Sequence, residues 1–131
     1  MTSRAIKIDL DNPRSLEEQI VVALRQAVAQ GAVGPGDEVP SVRQLAGDLG
    51  VHWNTVARAY RRLADEGLLR VRQGRSAIVG GQRRTTVRVA RASLRERLTE
   101  AISAGLVGGM SREDVAEVFA EALAGFGERK P

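Results

Sequence analysis

The stretch SVRQLAGDLGVHWNTVARAYRRLADEG, residues 41–67, predicts two short helices joined by a tight turn. Ser41 has the position of an N-cap at the start of the first helix. Gly50 can end that helix in the left-handed conformation that a tight turn needs. Ala46 is small where the two helices approach closely, and Val56 can fill the angle between them. This spacing is typical of a helix-turn-helix.

The second of these helices separates apolar from polar side chains around its axis. Its packing side is formed by Val56, Ala59, Tyr60 and Leu63. Its opposite side carries Asn54, Arg58, Arg61 and Asp65, with Thr55 and Arg62 at the flanks. Amide, hydroxyl and guanidinium groups hydrogen-bond base edges and phosphates. The pattern therefore favours a DNA recognition helix over the alternative of an ordinary amphipathic surface helix.

The segment LLRVRQGRSAIVGG, residues 68–81, predicts two short strands that form a hairpin about Gly74. This hairpin makes the motif a winged helix-turn-helix. Arg70 and Arg72 alternate with apolar residues, so we expect both to face outward, and we expect Arg72 to contact DNA. The tip of the wing consists of Gln73, Gly74 and Arg75. A glycine there lets the backbone approach DNA closely, and an arginine there can enter a minor groove.

The segments before this motif predict further elements. Residues 5–10, AIKIDL, alternate apolar and polar side chains, with Ile6, Ile8 and Leu10 on one side, as in a short strand or an extended arm. Residues 15–31, SLEEQIVVALRQAVAQG, predict a helix that begins with Ser15 and Glu18 in capping-box spacing. Residues 31–40, GAVGPGDEVP, predict a structured turn.

The C-terminal part predicts two more helices, over residues 93–106 and 111–126, with Ser111 as the N-cap of the second. Apolar residues share one face of each helix: Leu94, Leu98, Ile102, Val115, Val118, Phe119, Ala122, Leu123 and Phe126. One neighbouring helix cannot cover the whole of this apolar face. We therefore expect the face to be the interface of a homodimer. The predicted organisation is a DNA-binding domain over residues 1–79, a basic linker over 80–91 and a dimerisation region over 92–131. The predicted fold class is mainly α with a small β-wing: a winged helix-turn-helix followed by two C-terminal helices.

The charges of the chain are unevenly distributed. The 131 residues include 20 Lys or Arg and 16 Asp or Glu, but residues 52–91 alone carry 10 Arg against 2 acidic residues. A basic block of this density favours a polyanion as partner, with a solvated surface in an Arg-rich protein as the alternative.

The residue types also exclude several function classes. The chain has no Cys, which excludes disulfides, Cys-ligated zinc and a thiol nucleophile. It has a single His and no metal-ligand spacing, so no metal or cofactor is predicted. No glycine-rich phosphate loop follows a strand and no Ser, His and Asp are arranged as a triad, so the chain is not expected to be an enzyme. No window approaches ~18 consecutive apolar residues, so we expect a cytoplasmic protein without a membrane partner.

The longer stretch PGDEVPSVRQLAGDLGVHWNTVARAYRRLADEGLLRVRQGRSAIV, residues 35–79, resembles the DNA-binding domain of GntR-family bacterial transcription regulators. The resemblance covers about residues 13–80. Its specific elements are PGDEVPSVRQLA, the pattern NTV..AY..L..EGLL and a glycine at the wing tip. The short C-terminal part is similar to the YtrA-like subfamily, which has two helices in place of a metabolite-binding domain.

The resemblance implies roles for particular residues. Arg43 would reach a base, and residues His52 to Thr55 would contact bases and phosphates. Gln73, Gly74 and Arg75 would enter the minor groove. Many members have Ser or Thr followed by Arg where this chain has His52 and Trp53, so the operator of better-known members is not assumed.

The pair His52 and Trp53 lies at the N-terminal entrance of the predicted recognition helix. His52 could donate to a phosphate or a purine acceptor, cap the helix, or be an exposed turn residue. Trp53 could contact a thymine methyl group or the sugar-phosphate wall, or pack against the first helix.

These patterns predict a dimeric, sequence-specific repressor of transcription that binds a pseudo-palindromic operator in double-stranded DNA. The subfamily resemblance implies control of a membrane-transporter operon. The alternative is a winged-helix protein-interaction module without sequence-specific DNA binding. No effector is identified: the C-terminal residues are too few to enclose a typical pocket of ~300–1,000 Å³, and a small ligand between subunits is left as an alternative.

Overall fold

The computed structural model describes residues 2–72, 76–81 and 86–127 and divides the chain into two units, residues 1–84 and 85–131. The first unit contains a 3-10 turn (Ser3–Ala5), α1 (Leu16–Ala29), β1 (Glu38–Val39), α2 (Val42–Leu49), α3 (Trp53–Asp65), β2 (Leu69–Arg70) and β3 (Ala77–Val79). The second unit contains α4 (Val87–Val107) and α5 (Arg112–Ala124). The predicted fold class, mainly α with a small β-wing, is confirmed.

The core of the first unit lies between its three helices, and α3 packs against both α1 and α2. Each helix and strand of this unit contributes side chains to the core, and so do two loop residues: Ile6, Ile20, Val21, Leu24, Val33, Val39, Leu45, Ala46, Val56, Ala59, Tyr60, Leu63, Leu69, Ala77 and Val79. Burial of this apolar surface fixes the angle between the helices, because packed interiors resist changes of side-chain volume.

Tyr60 contributes the largest buried side chain of this core. Its hydroxyl donates a hydrogen bond of 2.6 Å to the backbone carbonyl of Pro40, just before α2. Burial raises the pKa of this phenol well above its ordinary value of 10, so the hydroxyl keeps its proton and remains a donor. The bond therefore connects the middle of α3 to the start of α2.

Serine hydroxyls cap the first two helices as the sequence predicts. The Ser15 hydroxyl accepts a hydrogen bond from the backbone N–H of Glu18, and that of Ser41 accepts one from Gln44, each at 3.1 Å. These bonds satisfy backbone donors that a helix N-terminus otherwise leaves without partners.

The sheet has three antiparallel strands in the order β1-β3-β2. Leu69 pairs with Val79 across the predicted hairpin, and Glu38 pairs with Ile78 on the other side of β3. The sequence predicts only a structured turn over residues 31–40, so β1 is an addition. It forms because Val39 enters the core and brings its neighbour alongside β3.

The end of β3 lies very close to the turn after α3. A Cβ atom added to Gly80 would lie 2.4 Å from the carbonyl oxygen of Gly67, a separation at which one backbone must move. Gly67 has φ +78°, a conformation that side chains disfavour. The N–H of Gly80 donates to the carbonyl of Leu68 at 2.8 Å. The wing is thus attached directly to the C-terminal end of α3.

The segment before α1 is an extended arm rather than a strand. Ile6 is buried, but Leu10 is 80% exposed, so the predicted apolar side does not extend to Leu10. Gln19 in α1 holds the arm: its side-chain carbonyl accepts from the N–H of Asp9 at 2.7 Å, and its amide donates to the carbonyls of Asp9 and Arg14 at 3.0 Å.

The second unit begins its first helix earlier than predicted. Residues 87–91, predicted as linker, belong to α4, because the Thr86 hydroxyl accepts from the N–H of Val89 at 3.2 Å and caps the helix there. Ser111 is the N-cap of α5 as predicted. It forms a full capping box with Asp114, in which side chain and backbone bond reciprocally at 3.1 and 3.2 Å.

Candidate nucleic-acid interface

Helix α3, the predicted recognition helix, has the two faces that the sequence predicts. The side chains of Val56, Ala59, Tyr60 and Leu63 are buried, with at most 1% exposed. Those of Asn54, Arg58, Arg61 and Asp65 are exposed, while Thr55 is half-buried at the flank. One face of the helix therefore holds α3 in the core, and the other presents amide, hydroxyl and guanidinium groups to solvent.

The turn between α2 and α3 has the predicted geometry. Gly50 adopts the left-handed conformation with φ +68°, and the N–H of Val51 donates to the carbonyl of Ala46 at 3.1 Å. Ala46 is 6% exposed and Val56 is fully buried. The small residue at the close approach and the filler between the helices are both confirmed.

The entrance of α3 is formed by His52 and Trp53. The Nδ1 atom of His52 accepts a hydrogen bond of 3.1 Å from the backbone N–H of Asn54, so His52 caps the helix. Trp53 is 57% exposed, which contradicts the alternative that it packs against the first helix. The two rings stack, with centroids 5.9 Å apart and planes inclined by 27°. Both aromatic side chains are therefore available to a ligand.

Arg43 is exposed in the first turn of α2. The side chain belongs to the helix that precedes the recognition helix, which in helix-turn-helix proteins crosses the DNA backbone. Its exposure leaves the guanidinium accessible, as the predicted contact requires.

Arg62 is engaged within the protein. Its guanidinium lies 2.8 Å from a carboxylate oxygen of Glu18 and 3.5 Å from one of Glu17 in α1. The hydrogen bond from Arg62 lowers the pKa of the Glu18 carboxyl, and the same bond raises the pKa of Arg62. Arg25 and Glu66 form a second ion pair between α1 and the end of α3. The sequence analysis missed both ion pairs, since their members lie far apart along the chain.

The wing differs in detail from the predicted alternation. Arg70 is exposed as expected, but Val71 is exposed as well and Arg72 is half-buried. The guanidinium of Arg72 lies 3.5 Å from a carboxylate oxygen of Glu38, and its buried Nε has no hydrogen-bond partner among the residues that the structure describes. Arg72 is therefore less exposed than the predicted alternation implies, because β1 brings a carboxylate within its reach. The predicted wing-tip contacts, Gln73, Gly74 and Arg75, lie outside the described residues.

The second unit exposes most of its predicted apolar face. Leu98 and Val115 are half-buried between α4 and α5. The remaining members are exposed: Leu94, Ile102, Val118, Phe119, Ala122, Leu123 and Phe126. The helices approach closely at Gly105, where an added Cβ would lie 3.3 Å from the sulfur of Met110.

Two features are absent from residues 2–72, 76–81 and 86–127. No group of three or more His, Cys, Asp or Glu side chains there could hold a metal ion. No helix in the same ranges has the length and apolar character required to cross a membrane.

Comparison with known proteins identifies similar regulators of transcription. The family model for bacterial regulatory proteins of the gntR family matches residues 16–79. The chain is 34% identical over 82 residues to the HTH-type transcriptional repressor YtrA of Bacillus subtilis, and the alignment covers 63% of each protein. The chain therefore spans somewhat less than two thirds of that relative.

Two solved structures are similar over more of the chain. YtrA from Sulfolobus acidocaldarius, a GntR-family transcription factor, is 36% identical with a TM-score of 0.61, covering 76% of this chain and 98% of that one. A transcriptional antiterminator from Listeria monocytogenes EGD-e is 23% identical with a TM-score of 0.79, covering 95% of both chains. The second likeness is one of fold alone.

Proposed function

The chain belongs to the GntR family of bacterial regulatory proteins, and on that premise we propose that it is a homodimeric, sequence-specific DNA-binding repressor of transcription. The single observation that carries the proposal is the division of α3 into a fully buried face and an exposed polar, basic face. A helix held in this way can enter a major groove without losing its packing. The protein would act in the cytoplasm.

The DNA contacts divide by chemistry. The base-reading groups would come from the start of the two helices: Arg43, His52, Trp53, Asn54 and Thr55. Arg58 and Arg61 would neutralise phosphates, since they are exposed on the outward face of α3. The wing tip, Gln73, Gly74 and Arg75, would enter the adjacent minor groove.

The sequence also predicts that Arg62 and Arg72 contact DNA, but both guanidinium groups are engaged within the first unit. Each has a carboxylate neighbour within the first unit, Glu18 for Arg62 and Glu38 for Arg72. A phosphate would have to compete with that carboxylate for the guanidinium. We therefore assign to Arg62 the role of joining α3 to α1, and to Arg72 that of joining the wing to β1.

The apolar face of the second unit supports the homodimer. A solvent-exposed face with Val118, Phe119 and Leu123 on one helix is unfavourable for an isolated chain. A second copy would cover this face, and a two-fold dimer would present two recognition helices to a pseudo-palindromic operator. Linking two half-site affinities through one dimer raises the affinity for the whole operator.

Repression is proposed because the Bacillus relative is a repressor. A protein bound across a promoter blocks transcription without any further activity, which suits a chain whose second unit consists of two helices. The membrane-transporter operon is proposed from the subfamily resemblance.

The test is selection of duplexes from a random pool by the full chain, followed by sequencing and mobility shift. A pseudo-palindromic consensus that binds at least 10³-fold more tightly than random DNA is expected of a specific regulator. Failure to enrich any sequence would overturn the proposal. It would then favour the winged-helix protein-interaction module.

A further inference from the structure

His52 is held by a contact that determines where its ring carries the proton. A neutral imidazole has one nitrogen that donates and one that accepts. The Nδ1 atom accepts from the N–H of Asn54 at 3.1 Å. The proton of the neutral ring therefore lies on Nε2, and this nitrogen is a donor.

The ring of Trp53 helps to fix the orientation of the Nε2–H group of His52. Trp53 stacks on His52 with a centroid distance of 5.9 Å, so the capping bond and the stack together restrict both side-chain torsions of His52. His52 is exposed and makes no second hydrogen bond to the described part of the chain. The Nε2–H group is thus oriented, exposed and without an acceptor.

From these two contacts we infer that His52 determines operator specificity: its Nε2–H donates to a purine edge, at N7 or O6, in the major groove. The inference rests on the proposed function. Purine N7 and guanine O6 are acceptors that the major groove presents. Residues at the N-terminal end of a recognition helix contact base edges. A ring whose Nδ1 is used for capping has only Nε2 left for this contact.

The first experiment tests the tautomer without DNA. Because His52 is the only His of the chain, a two-bond nitrogen–proton correlation spectrum of the labelled full chain at pH above 8 contains one imidazole. We expect the pattern of a ring protonated at Nε2. A ring protonated at Nδ1 would overturn the inference.

The second experiment separates capping from base contact with two variants. In His52→Asn, the side-chain oxygen takes the place of Nδ1 and caps well, but nothing reaches the position of Nε2. In His52→Gln, the terminal amide reaches the position of Nε2, but the cap is weakened. If His52 only caps the helix, His52→Gln should be the more damaging substitution in every assay.

We expect the opposite order in binding. His52→Asn should melt no lower than the native protein but bind the selected operator about three- to tenfold more weakly per half-site, as for one lost hydrogen bond. His52→Gln should melt lower and retain the larger share of the preference for operator over random DNA. Equal operator binding by native protein and His52→Asn would overturn the inference.

Modified operators locate the acceptor. Replacing the contacted purine by its 7-deaza analogue, or guanine by 2-aminopurine, which lacks O6, should weaken native binding but leave His52→Asn unaffected. If a methylphosphonate linkage shows this coupling and no base analogue does, the contact is to phosphate and the specificity role fails. If the native chain enriches no duplex at all, the proposed function fails first. If an operator is enriched but its binding does not depend on His52, only this inference fails and the proposed function stands.

Discussion

Arg43 and Trp53 are single residues whose replacement tests DNA binding separately from folding. Both are exposed near the two helix starts, and neither contributes a buried surface to the core. Their replacement should therefore act on DNA binding with little effect on folding, which distinguishes them from Tyr60 or Val56.

We predict that Arg43→Ala weakens binding to the selected operator far more than binding to random DNA. A bidentate contact from arginine to guanine discriminates by ~1–3 kcal/mol. Mobility shifts with the two duplexes measure the difference directly. Equal losses on both would mean that Arg43 contacts phosphate.

Trp53→Ala should impair operator binding and leave the melting temperature nearly unchanged. The indole is 57% exposed, so its removal leaves no cavity in the core. Truncation of a buried tryptophan would instead cost ~3–5 kcal/mol of folding free energy. A large fall in melting temperature would show that Trp53 stabilises the fold.

Helix α3 carries both the proposed contacts to DNA and the contacts that orient it within the first unit. Arg58 and Arg61 are exposed, whereas Arg62 on the same helix is paired with α1. The three arginines form a matched set, because each substitution removes the same charge from neighbouring turns.

Arg58→Ala and Arg61→Ala should each reduce the slope of log affinity against log salt concentration by ~0.9, the contribution of one phosphate contact on B-DNA. Arg62→Ala is the matched control and should leave the slope unchanged. Titrations of operator binding at several salt concentrations test all three. Unchanged slopes for Arg58 and Arg61 would mean that this face of α3 points away from DNA.

The ion pair between Glu18 and Arg62 gives a pH-dependent contribution to stability. Arg62 lowers the pKa of Glu18 in the folded state below the ordinary value of 4.5. The contribution is therefore present above that ordinary value and is lost as the pH falls through the lower, folded-state pKa. Glu18→Gln should reduce the free energy of unfolding at pH 7 by ~0.2–1 kcal/mol, as for an exposed pair.

Denaturant unfolding of both proteins from pH 7 downward measures this difference. The gap between native protein and Glu18→Gln should shrink once the pH drops below 4.5. A gap that stays constant to low pH would mean that the carboxylate charge of Glu18 does not stabilise the fold.

Sequence patterns predicted those elements whose signals are local. Helices α1, α2 and α5 begin at capping serines, and Gly50 ends α2, so the bounds follow from neighbouring residues. Strand β1 was missed because two residues are too few to show a period, and it forms only against β3. The start of α4 was missed because Val87–Arg91 is rich in β-branched and basic residues.

The partners of Arg62 and Arg72 could not be predicted either. Glu18 and Glu38 are distant in sequence and become neighbours only when the helices and strands pack. Whether such an arginine points to solvent or to a neighbouring element therefore depends on tertiary structure. The side of its own element on which it lies can be read from the sequence.

The proposed binding to a two-fold operator depends on the assembly of two copies. The second unit exposes Phe119 (48%) and Leu123 (60%) on the same face of α5. If a second copy covers this face, a charge at its centre should separate the copies while each remains folded.

Phe119→Asp should yield a folded monomer that binds the operator much more weakly. Ala120→Asp is the matched control, because it adds the same charge to an exposed position away from the apolar face. Light scattering gives the mass and a mobility shift gives the affinity. If Phe119→Asp stays dimeric and binds normally, the interface lies elsewhere.

The contact between Gly67 and Gly80 has a consequence for how such a regulator can change its target during evolution. Because Gly80 lies close against the backbone of Gly67 and is hydrogen-bonded to Leu68, we expect a rotation of α3 to carry the root of the wing with it. Insertions or deletions at this junction would shift both elements that we propose to read DNA, and most would abolish recognition. New operators are therefore reached more readily by exchanging side chains on an unchanged backbone, and the entrance of α3, where neighbouring residues are exposed, can accept such exchanges at the lowest structural cost.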